Sequence, residues 1–149
     1  MDRSQKAVEI FTKGFNCAQA VLAVFAEDGS MEQDKALFIA SCFGGGMRCG
    51  EACGAVTGAL MSIGLQYGYS SVEDAKDKMR SNGLACDFEA KFREKHGTIV
   101  CKELLGYDLS KPDDMAKLIE LGYFSSRCPV YVADAVDITE EILNLHKMS

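Results

Sequence analysis

Apolar residues recur every three or four positions along most of the chain, the spacing of amphipathic helices. The clearest stripe begins after Asn16, and its apolar face is formed by Ala18, Val21, Leu22 and Phe25. Asn16 is followed three positions later by Gln19, a capping-box pattern that predicts the helix start and puts Cys17 at its first position. No segment shows a convincing strand alternation, so the sequence predicts an all-α bundle.

Capping residues, glycines and apolar spacing predict the other helices in the same way. A first helix spans residues 4–13 before Gly14, and a third is opened by Ser30 with Gln33 and faces the core through Ala36, Ile39, Ala40 and Phe43. A long helix runs from Ser70 or Ser71 toward Lys95. Three more follow: Thr98 through Leu105, Ser110 through Glu120, and a last helix opened by Cys128-Pro129. The long helix is expected to face the core through Val72, Ala75, Met79, Phe88 and Phe92. The last is expected to use Val132, Val136, Ile138, Ile142, Leu143 and Leu145. Asn82-Gly83 leaves open a break in the long helix.

Small residues recur every four positions in the glycine-rich stretch that runs from Cys42 to Leu65: Gly50, Gly54, Gly58 and Ser62. On a helix this spacing makes one smooth ridge where another backbone can approach closely. Because glycine costs roughly 1 kcal/mol in a helix interior, the run needs a packing or functional reason. The sequence therefore predicts a central helix beginning at Gly50 and Glu51, with Cys53 in its first turn.

Length and charge narrow the class of protein. The 149 residues are 48% hydrophobic, which predicts one compact domain over 1–149. A net charge of -6 argues against nucleic acid or an anionic membrane as the main partner. No apolar run approaches the roughly 20 residues of a membrane span, and no signal core follows the N-terminal charges, so a cytoplasmic location is expected.

Seven cysteines are many for a cytoplasmic chain, and an odd number cannot all pair within one molecule. This predicts metal binding, catalysis or redox exchange, although free cysteine is also among the most buried residue types. Four of the seven fall at predicted helix starts: Cys17, Cys53, Cys101 (third position) and Cys128. The positive end of a helix dipole stabilises a thiolate there. Cys42, Cys49 and Cys86 lack this setting.

The same four cysteines lie in stretches that resemble a known family. The chain resembles the C_GCAxxG_C_C family of redox-active proteins in five places: residues 16–22 (NCAQAVL), 43–47 (FGGGM), 50–60 (GEACGAVTGAL), 101–106 (CKELLG) and Cys128. The resemblance covers nearly the whole chain and implies that the family's four cysteines are Cys17, Cys53, Cys101 and Cys128. It also implies a redox-active or metal-handling protein, with an association with a transporter suggested by the genes often found nearby. In this chain residues 53–55 read Cys-Gly-Ala, whereas the family label reads Gly-Cys-Ala.

The leading hypothesis is thiol–disulfide exchange with a redox partner protein or a small thiol. Cys53 is chosen as the nucleophile, with Cys17, Cys101 or Cys128 as the resolving thiol. The alternative is a four-cysteine site for zinc or an iron–sulfur cluster, because four thiolates on separate elements can converge into one cage. A structural module that forms a homodimer through its small-residue ridge is a third hypothesis.

Three other features carry weaker hypotheses. Cys49 and Cys53 could share a helix face as a redox pair. The glycine loop with Arg48 could bind an anion, although a tight connection between helices explains it better. His96 and His146 lie at predicted helix ends, where capping accounts for them better than metal ligation.

Overall fold

A computed structural model describes residues 1–144 as helices joined by short turns. Their bounds are α1 Arg3–Thr12, α2 Cys17–Phe25, α3 Gln33–Ile39, α4 Gly54–Tyr67, α5 Ala75–His96, α6 Cys101–Leu105, α7 Pro112–Leu121, α8 Tyr123–Ser126 and α9 Cys128–Leu143. Within these residues the only β-type pairing is an isolated antiparallel bridge between Ala52 and Val100. The all-α prediction is confirmed, whereas Leu145 and His146 lie outside the described residues.

Helix α2 is the central element, and its start follows the predicted capping box. The Asn16 side chain accepts a hydrogen bond from the Gln19 N–H at 2.8 Å, and the Gln19 side chain accepts one from the Asn16 N–H at 2.9 Å. Val21 and Phe25 are buried in the main core with α1, α4 and α9, while the opposite face packs toward α3. Because α2 is covered on both sides, its first residue, Cys17, packs against the core while staying partly exposed.

The predicted small-residue ridge exists on α4, but it begins later than expected. Gly54, Gly58 and Ser62 are buried, and α4 packs closely on α2. A methyl group at Gly58 would lie 2.8 Å from the Ala18 carbonyl oxygen, so only glycine permits this approach. Gly50 has φ +72° and precedes the helix, which makes the predicted start at Gly50 wrong. Since α2 covers the ridge, these buried residues are not available as a homodimer surface.

Two predicted helix faces differ from the structure. Ser30 adopts a left-handed conformation and Glu32 occupies the N-cap of α3, so the predicted Ser30 box does not form, and Ile39 is half exposed. In α5, Phe88 and Phe92 are buried as predicted, but Val72 precedes the helix and Met79 points to solvent. The reason is that only the C-terminal half of α5 packs against the core. Helix α5 continues through residues 82–83 without a break.

The last third of the chain folds around left-handed glycines. Gly97, Gly106 and Gly122 end α5, α6 and α7 with positive φ, the conformation in which glycine carries no Cβ penalty. Gly122 also starts α8, a short helix that the sequence did not predict. Helix α9 begins at Cys128 with Pro129 in its first turn, as predicted. No helix among residues 1–144 combines the length and apolarity needed to cross a membrane.

Candidate functional site

The four cysteines singled out by the sequence line one small cavity in the interior. Cys17, Cys53, Cys101 and Cys128 share it with Gly45, Gly54 and Tyr131, and the remaining walls are apolar: Leu104, Leu105, Leu109 and Phe124. Its volume of about 30 Å³ is that of one or two water molecules. Residues more than a hundred positions apart in sequence therefore meet at one point.

Each of the four cysteines lies at a helix start, which confirms that part of the prediction. Cys17, Cys101 and Cys128 are the first residues of α2, α6 and α9, and Cys53 is the N-cap of α4. Cys101 was expected at the third position, but α6 begins later than predicted, because Val100 and not Thr98 is its N-cap.

Backbone hydrogen bonds fix Cys53 and Cys101 beside each other. The Cys53 N–H donates to the Ile99 carbonyl at 2.8 Å, and the Cys101 N–H donates to the Glu51 carbonyl at 2.6 Å. These two bonds flank the bridge between Ala52 and Val100 and clamp the start of α4 to the start of α6. The clamp therefore sets the separation of two of the four thiols.

A left-handed backbone run forms one wall of the cavity. Gly45, Gly46, Met47 and Arg48 have φ values of +63°, +61°, +60° and +61°. A non-glycine residue pays roughly 1–2 kcal/mol for this conformation, so Met47 and Arg48 are strained. The run turns the Gly45 N–H toward the Cys17 sulfur, which accepts a hydrogen bond from it.

The Cys17 thiol is the one most easily ionised at the site. Its pKa is lowered to about 7, chiefly because the Cys53 thiol donates a hydrogen bond to its sulfur. The N–H groups of Gly45, Ala18 and Cys17 itself also stabilise the thiolate, while burial opposes it. The lowered pKa therefore favours the thiolate, the nucleophilic form, more at Cys17 than at an ordinary cysteine.

The other three thiols are held in the neutral form. The hydrogen bond to Cys17 and then burial raise the pKa of Cys53 well above its ordinary value. Burial, aided by the charge of Cys17, raises the pKa values of Cys101 and Cys128 to about 12. The expectation that a helix start lowers the pKa is correct for Cys17 and wrong for these three. In an apolar cavity, loss of hydration outweighs the helix dipole.

The remaining cysteines lie outside the cavity and are exposed. Cys42 follows α3, Cys86 lies on the solvent side of α5, and Cys49 lies in the loop before α4. The Cys49 thiol donates to the Gly46 carbonyl at 3.4 Å. Cys49 has a non-helical backbone and Cys53 is an N-cap, so the two do not share a helix face, and the hypothesis of a redox pair on one face is wrong.

The side chains do not form a ready-made metal site. Among residues 1–144, no group of three or more histidine, cysteine or acidic side chains is arranged to hold a metal ion. The predicted zinc or iron–sulfur cage therefore does not fit this arrangement of the thiols. His96 lies in the last turn of α5 as expected, with its Nε2 hydrogen-bonded to Asp134 at 2.8 Å.

Sequence reasoning missed Tyr131 and Gly45 as cavity residues. Tyr131 lies three positions after Cys128 on α9, and its hydroxyl donates to the Leu104 carbonyl at 3.1 Å. The i, i+3 spacing from Cys128 was a usable signal, because such residues share a helix face. Gly45 carried no comparable signal, since its role depends on the left-handed path of the loop.

These features define a helical protein whose chemistry would be that of clustered thiols, one ionisable near neutral pH and three protected by burial. The chain belongs to the C_GCAxxG_C_C family: the model of the family described as "Putative redox-active protein (C_GCAxxG_C_C)" matches residues 15–142. The matched region contains all four cavity cysteines, and the resemblance stated from the sequence is confirmed. No curated protein matches the chain. No solved structure matches it either.

Proposed function

We propose that the protein carries out thiol–disulfide exchange with Cys17 as the attacking thiolate. The observation that supports this most directly is the convergence of four sequence-distant cysteines on one cavity, where one thiol is selectively ionisable. The thiolate, not the thiol, attacks disulfides. Cys17 therefore replaces Cys53 as the first nucleophile, because Cys53 keeps its proton while Cys17 is charged.

The first step forms a mixed disulfide. The Cys17 thiolate attacks one sulfur of a disulfide R–S–S–R′, a Cys17–S–S–R bond forms, and the R′ sulfur leaves as a thiolate. The substrate is the disulfide of a partner protein or of a small thiol. Cys17 is only partly buried, whereas Cys53 and Cys101 are buried, so Cys17 is more accessible than those two.

The second step transfers the bond within the cavity. Once Cys17 is in the mixed disulfide, its negative charge no longer raises the pKa of Cys53. The Cys53 thiol can then pass its proton to the departed thiolate and attack the Cys17 sulfur, which releases R–S⁻. Two electrons pass to the substrate, whose disulfide becomes one thiol and one thiolate, while Cys17 and Cys53 become a disulfide. A thiol donor of the cytoplasm, where we place the protein, would reverse this oxidation.

Peptide mapping after mild oxidation tests the proposal. Reduced protein treated with a small disulfide should lose two thiols, and the linkage should join Cys17 to another cavity cysteine. Cys17→Ser should prevent this linkage, whereas Cys86→Ser, at an exposed position on α5, should leave it unchanged. No linkage within the cavity set would overturn the proposal.

Metal analysis of the same preparation supplies an independent outcome. Protein purified without air should contain no stoichiometric zinc or iron, and its absorption spectrum should show no cluster bands. Stoichiometric metal that is lost in Cys17→Ser would instead identify a metal site and overturn exchange as the function of these thiols.

A further inference from the structure

Cys49 lies on the solvent side of the wall whose inner side faces the buried thiols. Gly46 lies next to both Cys49 and Cys101. The Gly46 carbonyl accepts a hydrogen bond from the Cys49 thiol at 3.4 Å, and a methyl group on Gly46 would lie 2.8 Å from the Cys101 Cβ. Cys49 is exposed and Cys101 is only 6% exposed. The wall therefore carries an accessible thiol next to an inaccessible one.

The cavity is small, so a protein disulfide can react with this site only through an exposed thiol. A space of about 30 Å³ cannot admit the disulfide of a folded protein, which brings two backbones with it. Cys53 and Cys101 are almost completely buried, and Cys17 and Cys128 are partly so. Cys49 is exposed, so its thiol is more accessible to a protein partner than the four cavity thiols.

We infer that Cys49 is a fifth working thiol, which exchanges disulfides with protein partners and passes the bond through Cys101 to Cys17 and Cys53. This inference rests on the proposed exchange function and names its larger substrates: exposed disulfides of proteins or peptides. The family motif does not include Cys49, so the inference concerns this chain's own addition.

The transfer balances at each step. The Cys49 thiolate attacks the partner's disulfide and releases one partner thiolate; Cys101 then attacks the Cys49 sulfur and releases the other. Cys17 attacks Cys101 and frees Cys49, and Cys53 attacks Cys17 and frees Cys101. Cys53 gives up its proton and Cys17 the negative charge of its thiolate, so the two partner sulfurs end as one thiol and one thiolate. Two electrons have moved outward to the partner's disulfide, and one disulfide has moved inward.

Nearby charges favour the inward step once Cys49 has reacted. Burial raises the pKa of Cys101, and the negative charges of Cys17, Asp108 and ionised Cys49 raise it further, while Arg48 lowers it. A mixed disulfide at Cys49 removes one of these negative charges and leaves Arg48 in place. Cys101 is therefore easier to ionise at the stage at which it has to attack.

Two oxidants of different size test the inference on the full chain. Reduced protein is mixed with insulin or with 2-hydroxyethyl disulfide, quenched with acid and alkylated, and the rate of disulfide formation within the cavity set is measured by peptide mapping. Cys49→Ser should slow oxidation by insulin at least tenfold and change oxidation by the small disulfide less than twofold. Cys42→Ser and Cys86→Ser, at the other exposed cysteines, should change neither rate.

A trapping variant tests the order of transfer. Cys101→Ser blocks the step after Cys49, so a mixed disulfide between Cys49 and insulin should accumulate in it and not in the native chain; its helical circular dichroism should match that of the native chain. Oxidation of Cys49→Ser by insulin at the native rate, with the small disulfide also active, would overturn the role of Cys49 alone. Absence of cavity disulfides with either oxidant would overturn the exchange function as well.

Discussion

Cys17 and Cys53 line the same cavity, yet their thiol pKa values are shifted in opposite directions. The Cys53 thiol is the donor in the hydrogen bond between them, and three backbone N–H groups stabilise the Cys17 thiolate where one, that of Ala55, acts on Cys53. The rate at which Cys17 is alkylated should therefore rise through a midpoint at about pH 7. Replacing Cys53 by Ala removes the main donor and should move this midpoint upward. Alkylation of reduced protein across a pH series, read by peptide mass, measures both.

Cys86→Ala is the matched comparison for that substitution, because it removes an exposed cysteine far from the cavity. It should leave the Cys17 midpoint unchanged. A midpoint that does not move in Cys53→Ala would show that the backbone N–H groups alone set the Cys17 pKa.

Gly54 shows how closely the two helices approach at the thiols. A methyl group on it would lie 2.4 Å from the Cys17 sulfur, whereas one on Gly64, further along α4, meets nothing within 4 Å. Gly54→Ala should lower the free energy of unfolding by about 1–3 kcal/mol through overpacking. Gly64→Ala should raise it by up to about 1 kcal/mol, because alanine is the better helix former. Urea unfolding of the two variants compares them, and equal effects would contradict this packing.

Among the elements, the start of α2 joins two parts of the fold. The Asn16 side chain caps α2 and also donates to the carbonyls of Ala40 and Ser41 after α3, at 3.4 and 3.0 Å. Asn16→Ala should cost about 1–2 kcal/mol of unfolding free energy through the lost cap. Asn16→Asp keeps the capping oxygen and loses only the donor, so it should cost less. Urea unfolding of both variants measures the two losses of unfolding free energy. If Asn16→Asp loses as much as Asn16→Ala, the stability comes from the contacts with the end of α3 and not from the cap.

Two helix starts marked by local signals were predicted correctly, and one that depends on distant residues was not. The Asn16 box and Cys128-Pro129 are local signals, and both helices begin where these place them. Gly50 instead adopts positive φ beside Asp108, with α6 packed against it, so the repeat of small residues misplaced the start of α4. The inner face of α5 was predicted to extend too far toward its N-terminus for a related reason. The spacing of apolar residues along a helix does not show how far the other helices cover it.

At the scale of the whole molecule, the candidate site follows from the way the helices pack. The sequence placed four cysteines at helix starts, but their meeting in one cavity depends on packing between α2, α4, α6 and α9. Their pKa values depend on burial, which no local pattern records. This is why we propose Cys17 as the attacking thiolate, whereas the sequence alone favoured Cys53.

Burial of thiols should make the fold sensitive to alkali. An unfolded chain loses cysteine protons near pH 9, whereas folded Cys101 and Cys128 keep theirs to about pH 12. The folded state then binds more protons, so stability should fall between these pH values, by up to roughly 1.4 kcal/mol per pH unit for each thiol. Cys17 acts oppositely, since its lowered pKa adds stability as the pH rises from about 7 to 9.

Urea unfolding under reducing conditions across this range measures the effect. The variant with both Cys101→Ala and Cys128→Ala should show a shallower loss above pH 9 than the native chain. Because lysines and tyrosines titrate in both proteins, only the difference between the two slopes is used. Parallel slopes would contradict the proposed protection of these thiols.

The position of the cavity cysteines at the starts of separate helices ties the redox potential to the folding equilibrium. A bond between Cys17 and Cys53 would close a loop of roughly 35 residues in the unfolded chain, which in the chain-entropy treatment stabilises the fold by about 3–4 kcal/mol. In a thermodynamic cycle, the same free energy makes the bond harder to reduce in the folded protein than in the unfolded one. Any substitution that loosens α2 from α4 would then shift the midpoint potential of the thiols, even without touching a sulfur.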